Sequence, residues 1–374
     1  MDTLLTIFLI AALGYALGGI RIKGVELGTA GVLLVALVFG HFGAEIPAVV
    51  RNFGLASFVT GVGFIAGPKF FRDFKHNATS YILLGFVIIL VGALCAATAS
   101  KWFGVSPELA VGLMTGALTS TPGLAAAQDA AGELANLATT GYAIAYPFGV
   151  VGVVLFVQLV PKILRVDMAQ ERALFEKASL SEVKRHHGKL INIDGAGFFA
   201  FTAAVVLGIL LGGVVVPLPG GGEFSLGTTG GPLIVGLLFG HFGHIGPLDI
   251  SVPTPTLKTF RELGLMLFLV GAGVSGGAGF VETLRKEGFM LFVYGAVMTL
   301  LPMLVGYLIA DKVLKLRVLN NLGSITGGMT STPALGTLIQ VAGTEDVASA
   351  YAATYPIALV AVVLASQFAV ILLH

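Results

Sequence analysis

Residues 118–124 read Leu118-Thr119-Ser120-Thr121-Pro122-Gly123-Leu124, and residues 329–335 read Met329-Thr330-Ser331-Thr332-Pro333-Ala334-Leu335. The match extends upstream, with Met114-Thr115-Gly116-Ala117 against Ile325-Thr326-Gly327-Gly328, at an offset of 211 residues. A run of hydroxyls ending in proline, set twice inside apolar sequence, predicts a helix break near the middle of a membrane. The two copies together predict one substrate site.

Working outward, other pairs recur in the same order at offsets of 199 to 211. Phe39-Gly40-His41-Phe42-Gly43 returns as Phe239-Gly240-His241-Phe242-Gly243, and Leu27-Gly28-Thr29-Ala30-Gly31 as Leu226-Gly227-Thr228-Thr229-Gly230. Arg51-Asn52-Phe53-Gly54-Leu55 returns as Arg261-Glu262-Leu263-Gly264-Leu265, and Ala145-Tyr146-Pro147 as Thr354-Tyr355-Pro356. The register divides the chain into a first membrane repeat (1–161), a polar cytoplasmic linker (162–194) and a second membrane repeat (195–374).

Composition places both repeats in lipid. Apolar residues make up 56 % of the chain and charged residues 11 %, against roughly 25 % charge in soluble domains, and the mean hydropathy is +0.95. Apolar runs lie near 3–20, 27–43, 52–68, 78–103 and 136–161, then 197–217, 227–243, 262–280, 288–310 and 347–373, with the boxes inside 109–128 and 322–340. Such lengths suit a hydrocarbon core about 30 Å thick. The 52 glycines are about twice the usual share of roughly 7 %, which suits close helix packing. A net charge of +1 gives no case for nucleic acid, and the single cysteine, Cys95, forms no disulfide framework or metal set.

Suppose each box lies in a re-entrant hairpin and each repeat crosses five times. With both termini outside, loops 21–26, 69–77, 162–194, 244–261 and 311–321 fall inside and hold 17 of the 21 Lys and Arg. That is a strong positive-inside bias. An odd number of crossings inverts the second repeat relative to the first. The expected fold is all-α: two inverted repeats, each of five transmembrane helices plus one hairpin.

Proline is favoured at the first helical position and threonine just before it, so short helices are expected to start at Pro122 and Pro333. The amides of Gly123 and Leu124 would then be unpaired at the positive end of the dipole. In an inverted pair the tips approach from opposite faces, bringing together Thr119, Ser120, Thr121, Pro122, Gly123, Thr330, Ser331, Thr332, Pro333 and Ala334. Two helix starts and six hydroxyls bind an anion without any basic side chain. Alternatively, the hydroxyls only re-satisfy a proline-broken backbone. Duplication favours the site.

Tyr146-Pro147 and Tyr355-Pro356 lie inside long apolar runs, where proline frees the carbonyl four residues back, of Ala143 and Ala352. These carbonyls could take an ammonium or a cation, or the prolines are plain kinks; Tyr146 and Tyr355 join the candidate site. The Asp and Glu all fall at predicted helix ends or in loops, so no proton relay is evident. His41 and His241 read as turn residues rather than metal ligands. The glycines at 61, 63 and 67, mirrored at 271, 273, 276 and 277, serve helix crossing or packing against a moving hairpin.

Gly54-Leu55 through Val62-Gly63, then Ala66-Gly67-Pro68-Lys69-Phe70-Phe71, together with the paired boxes, resembles the aspartate:alanine exchanger family of bacterial transporters. The resemblance covers both apolar halves. It implies a secondary carrier of the inner membrane that exchanges small amino acids or dicarboxylates, with no cofactor and no catalytic residues. The wider group of inverted-repeat carriers adds a homodimer and an elevator-type motion. Family members usually carry soluble regulatory domains between the halves, and only 162–194 stands there in this chain. A Na⁺-coupled dicarboxylate or glutamate symporter is the alternative. An ion channel fits less well, for want of a carbonyl filter or a ring of charges.

Overall fold

Both Thr-Ser-Thr-Pro boxes lie between two short helices in the computed structural model, which describes residues 2–22, 25–26, 29–179, 190–217, 223–277 and 288–373. Before the linker come α1 (Thr3–Gly18), α2 (Ala30–His41), α3 (Ala48–Phe103), α4 (Pro107–Ala117), α5 (Thr121–Ala131) and α6 (Ala135–Ile163). The linker holds α7 (Met168–Ser179). After it come α8 (Phe198–Gly212), α9 (Gly227–Phe242), α10 (Thr254–Gly277), α11 (Phe289–Leu308), α12 (Val318–Gly328), α13 (Thr332–Ala342) and α14 (Val347–Leu373). Three two-residue strand pairs decorate the connections among the described residues.

This is an all-α polytopic membrane protein. Among the described residues five stretches are long and apolar enough to cross a bilayer: Ala48–Pro68, Asn77–Phe103, Gly132–Ile163, Phe289–Val313 and Val347–Leu373. The remaining expected spans are shorter or more polar. The 16 residues of α1 reach only about 24 Å, and α10 carries Lys258, Arg261 and Glu262 in its first half.

Residues 69–77 were expected as a loop, yet α3 is helical across all 56 of its residues. Such a helix is about 84 Å long, far more than one crossing needs. The charges between Pro68 and Asn77 separate two apolar spans, but no glycine or second proline follows Pro68 to break the helix there. A charged run ends a span without ending a helix. Similarly, the expected loop 244–261 gives way to α10 at Thr254. At the start of α8, Asp194 accepts from the amides of Phe199, Phe198 and Ala196 at 2.8, 2.9 and 3.0 Å. Those backbone donors hold its carboxyl below the ordinary carboxylate value.

The two breaks sit beside long helices. Gly112 packs on Ala138 and Gly116 on Tyr142, so α4 runs alongside α6 in the same direction. Its end reaches Gly149, midway along α6, and α5 then runs back to the turn at Gly132 where α6 begins. In the second half Gly323 packs on Val347 and Gly327 on Tyr351, placing α12 alongside α14 in the same way.

Contacts between the halves come in matched pairs. Gly63 lies against Leu233 and Gly273 against Leu33; Gly67 lies against His241 and Gly277 against His41. The glycine-rich stretches therefore bring α3 onto α9, and α10 onto α2, with backbones touching. Plain helix crossing accounts for them. A Cβ on Gly277 would overlap the backbone of Leu37. Gly277→Ala is expected to destabilise the protein by about 1–3 kcal/mol, the usual cost of overpacking, seen as a lowered Tm of the purified protein; an unchanged Tm would show that α2 yields freely.

Within the linker, Arg172 of α7 donates through Nε to the Ala342 carbonyl at 3.0 Å, a favourable place for a cation at the negative end of α13. Met168 packs on the main apolar core. The remainder of the linker, 180–189, lies outside the described residues.

Candidate functional site

At each break one threonine has a left-handed backbone: φ is 55° at Thr119 and 49° at Thr330. A β-branched residue there is strained, by roughly 1–3 kcal/mol. The other half holds each in place. The Thr330 hydroxyl donates to the Leu118 carbonyl at 2.7 Å, and the Thr119 hydroxyl donates to the Met329 carbonyl at 3.2 Å. These carbonyls stand at the last turns of α4 and α12, where helices leave acceptors without partners. Each break is thus completed by a side chain of its counterpart, and the two tips touch.

Helix starts differ from expectation by one residue. Ser120, not Thr121, is the N-cap of α5, and the helix begins at Thr121. Ser120 Oγ accepts from the Gly123 amide at 3.2 Å, and the Ser120 carbonyl accepts from the Leu124 amide at 3.0 Å. The two amides expected to be unpaired are therefore satisfied, because serine caps as well as threonine and the left-handed Thr119 turns it inward. Ser331 occupies the same place before α13 but makes no side-chain cap bond. Its Oγ is buried without a partner. The threonines at the helix starts turn to tyrosine instead: Thr121 Oγ1 is 3.3 Å from Tyr142 Oη, and Thr332 Oγ1 is 3.4 Å from Tyr351 Oη. The ring pairs Tyr142–Tyr146 and Tyr351–Tyr355 stack at 5.1 and 5.3 Å between centroids.

Around the touching tips lies a cavity of about 460 Å³. Nine of the twelve expected site residues line it: Thr119, Ser120, Thr121, Pro122, Tyr146, Thr330, Thr332, Pro333 and Tyr355. Gly123, Ser331 and Ala334 do not; they are packed behind it. Of the two carbonyls ahead of the prolines, Ala143 lines the cavity, while Ala352 is fully buried elsewhere. The wall is completed by Ser225 to Thr229 at the start of α9 and by Phe268, Ala272, Ser275 and Gly276 of α10.

Arg51 and Asn52 at the start of α3 also line the cavity. Arg51 is the one charged side chain among the described lining residues, and no described carboxylate pairs with it. The expectation of an anion site without a basic side chain is corrected here. The repeat register already aligned Arg51 with Arg261, but a lone arginine at a span end reads first as a membrane-edge anchor. Only the folding of α3 against α10 turns it inward: Gly271 leaves the room that the Arg51 stem fills. Tyr142 was missed because it lies outside the Tyr-Pro pattern, although it sits one turn before Tyr146. Hydroxyls, one arginine and a tyrosine stack, with Ala143 in the wall, can together hold a small molecule bearing a carboxylate and an ammonium group.

The family described as Predicted Permease Membrane Region, Asp-Al_Ex, matches residues 6–162 and 200–371. An uncharacterized transporter of Bacteroides fragilis is 31 % identical over an alignment covering 97 % of each chain. Another, of Bacteroides thetaiotaomicron, is 30 % identical with the same coverage, and one of Rhodopirellula baltica is 28 % identical over 99 % of each.

Proposed function

We infer that this chain, which belongs to the Asp-Al_Ex family of predicted permease membrane regions, is a secondary carrier that exchanges small amino acids or dicarboxylates across the inner membrane. The observation that carries the reading is the joined pair of helix breaks around a cavity whose one charge among the described lining residues is Arg51. The cavity volume of about 460 Å³ falls in the roughly 300–1,000 Å³ range of small-molecule sites. One substrate carboxylate meets the Arg51 guanidinium, whose fork suits bidentate pairing. The hydroxyls of Thr119, Thr121 and Thr330 take the remaining carboxylate oxygens. The ammonium group meets the Ala143 carbonyl and the face of Tyr146.

The two halves act as inverted repeats of five crossings and a re-entrant hairpin each. Matched contacts at constant offsets and helix breaks level with mid-helix support that arrangement. Both termini lie outside, the linker lies inside, and the cavity moves between faces by an elevator-like motion within a homodimer. Exchange is tested by counterflow. Purified protein in vesicles loaded with alanine or aspartate is expected to take up labelled aspartate, and empty vesicles are expected not to. Uptake into empty vesicles driven by a Na⁺ gradient would replace exchange with symport. Conductance far above carrier turnover in planar bilayers would replace both with a channel.

A further inference from the structure

Arg261 is the counterpart of Arg51, 210 residues on, and the helices that carry them cross at Gly54 and Gly264. The environments are reciprocal: the Arg51 stem fills the space over Gly271, and the Arg261 stem lies over Gly61. Their guanidinium groups meet different fates. Arg51 is half-buried and faces the cavity. Arg261 is 7 % exposed and donates to Glu345, in the turn between α13 and α14, and to Glu262. Lys258 Nζ adds a second cation 3.9 Å from Glu345. In the first half Asn52 stands in place of Glu262, and the turn between α5 and α6 carries Glu133, which makes no ion pair with Arg51 among the described residues.

The same contrast extends to the neighbours. Thr121 is exposed to the cavity and Tyr142 is half-buried, whereas Thr332 and Tyr351 are buried. Phe58, counterpart of the cavity residue Phe268, is fully buried. One side of the α3–α10 crossing is open, and the matching side is closed with a carboxylate of the chain itself seated on the arginine.

We propose that Arg261 is a second carboxylate-binding residue of the transport path, and that Glu345 is its tethered occupant and the gate of the closed side. The proposal rests on the carrier reading of the cavity. A buried guanidinium does not readily lose its anion without a replacement. When the closed side opens, the turn bearing Glu345 withdraws from α10, and a substrate carboxylate replaces it on Arg261 as no bond is made or broken covalently. Glu345 therefore competes with substrate for one guanidinium. Among the described residues Arg51 has no such internal competitor, so the two sides of the path differ in how firmly they close when empty.

The test uses the full chain in vesicles with Cys95→Ser, which removes the single cysteine, and a membrane-impermeant maleimide. Ser275→Cys reports the cavity wall; Val62→Cys reports the closed side, where Val62 is 1 % exposed and matches the cavity residue Ala272. With Glu345 intact, Ser275→Cys is expected to react and Val62→Cys to be protected. Glu345→Gln is expected to raise the Val62→Cys rate about tenfold, the change that about 1.4 kcal/mol produces, from the opposite membrane face. The double variant Arg261→Gln/Glu345→Gln removes both buried partners and leaves charge only on Glu262 and Lys258, whose side chains are 43 % and 55 % exposed; it should open the same side, so a folding defect of the single variant does not block the test. Added aspartate should protect Val62→Cys in Glu345→Gln and not in the double variant. Continued protection of Val62→Cys in both variants, with Ser275→Cys still reactive, would overturn the gate. Equal aspartate effects in the two variants, including none, would overturn the binding role of Arg261. Neither readout requires counterflow, so failure of the exchange reading would be seen separately.

Discussion

Arg51→Gln is expected to weaken substrate binding by about thirtyfold to a few thousandfold and to silence exchange at ordinary substrate concentrations, while the Tm of the purified protein stays near that of the unaltered chain. Truncating one partner of a desolvated, charge-assisted pair costs about 2–5 kcal/mol, and each 1.4 kcal/mol is a factor of about ten. The stability half of the prediction follows from the absence of a partner among the described residues. No described carboxylate pairs with Arg51, so removing the guanidinium strands nothing in the substrate-free protein. Arg51→Lys keeps the charge but loses the two-pronged geometry, and an intermediate loss of about tenfold is expected. The measurement is counterflow against substrate concentration, paired with thermal unfolding. Full exchange by Arg51→Gln would remove Arg51 from the site.

Thr119→Ala combined with Thr330→Ala should have the opposite signature, a fall in stability as large as the fall in transport. The two hydroxyls bond the Met329 and Leu118 carbonyls across the halves. A buried acceptor left without a donor costs about 1–3 kcal/mol, so the pair is expected to cost roughly 2–6 kcal/mol, less whatever strain alanine relieves in the left-handed turns. Thr119→Ser with Thr330→Ser restores both donors and should return most of the loss. Thermal unfolding of the three proteins checks this. Equal Tm values for the alanine and serine pairs would show that the cross-bonds do not hold the tips together.

Much of this arrangement is legible in the residues. Apolar runs locate the long helices to within a few positions, because in lipid the backbone must satisfy itself within each helix. The Thr-Ser-Thr-Pro duplication locates the breaks, because proline and hydroxyls have few other uses at that depth. Three features are not legible. The continuation of α3 through its charged segment depends on the absence of a breaker, whereas hydropathy registers only the charge. The capping role of Ser120 depends on the backbone angle of Thr119. The inward turn of Arg51 depends on the packing of α3 over Gly271, a long-range contact that no local pattern encodes. Docking of Arg172 on the end of α13 is of the same kind.

The reciprocal threonine bonds also bear on how the protein is made. The Leu118 carbonyl receives its donor from a residue 212 positions later. At roughly 5–20 residues per second, about 10–40 seconds of synthesis separate the two ends of that bond. Through this interval the first break sits in the bilayer with its acceptor open and its left-handed threonine unsupported. Quality control of the nascent chain must tolerate that half-built state, and the cavity comes into being only when the second break arrives beside the first.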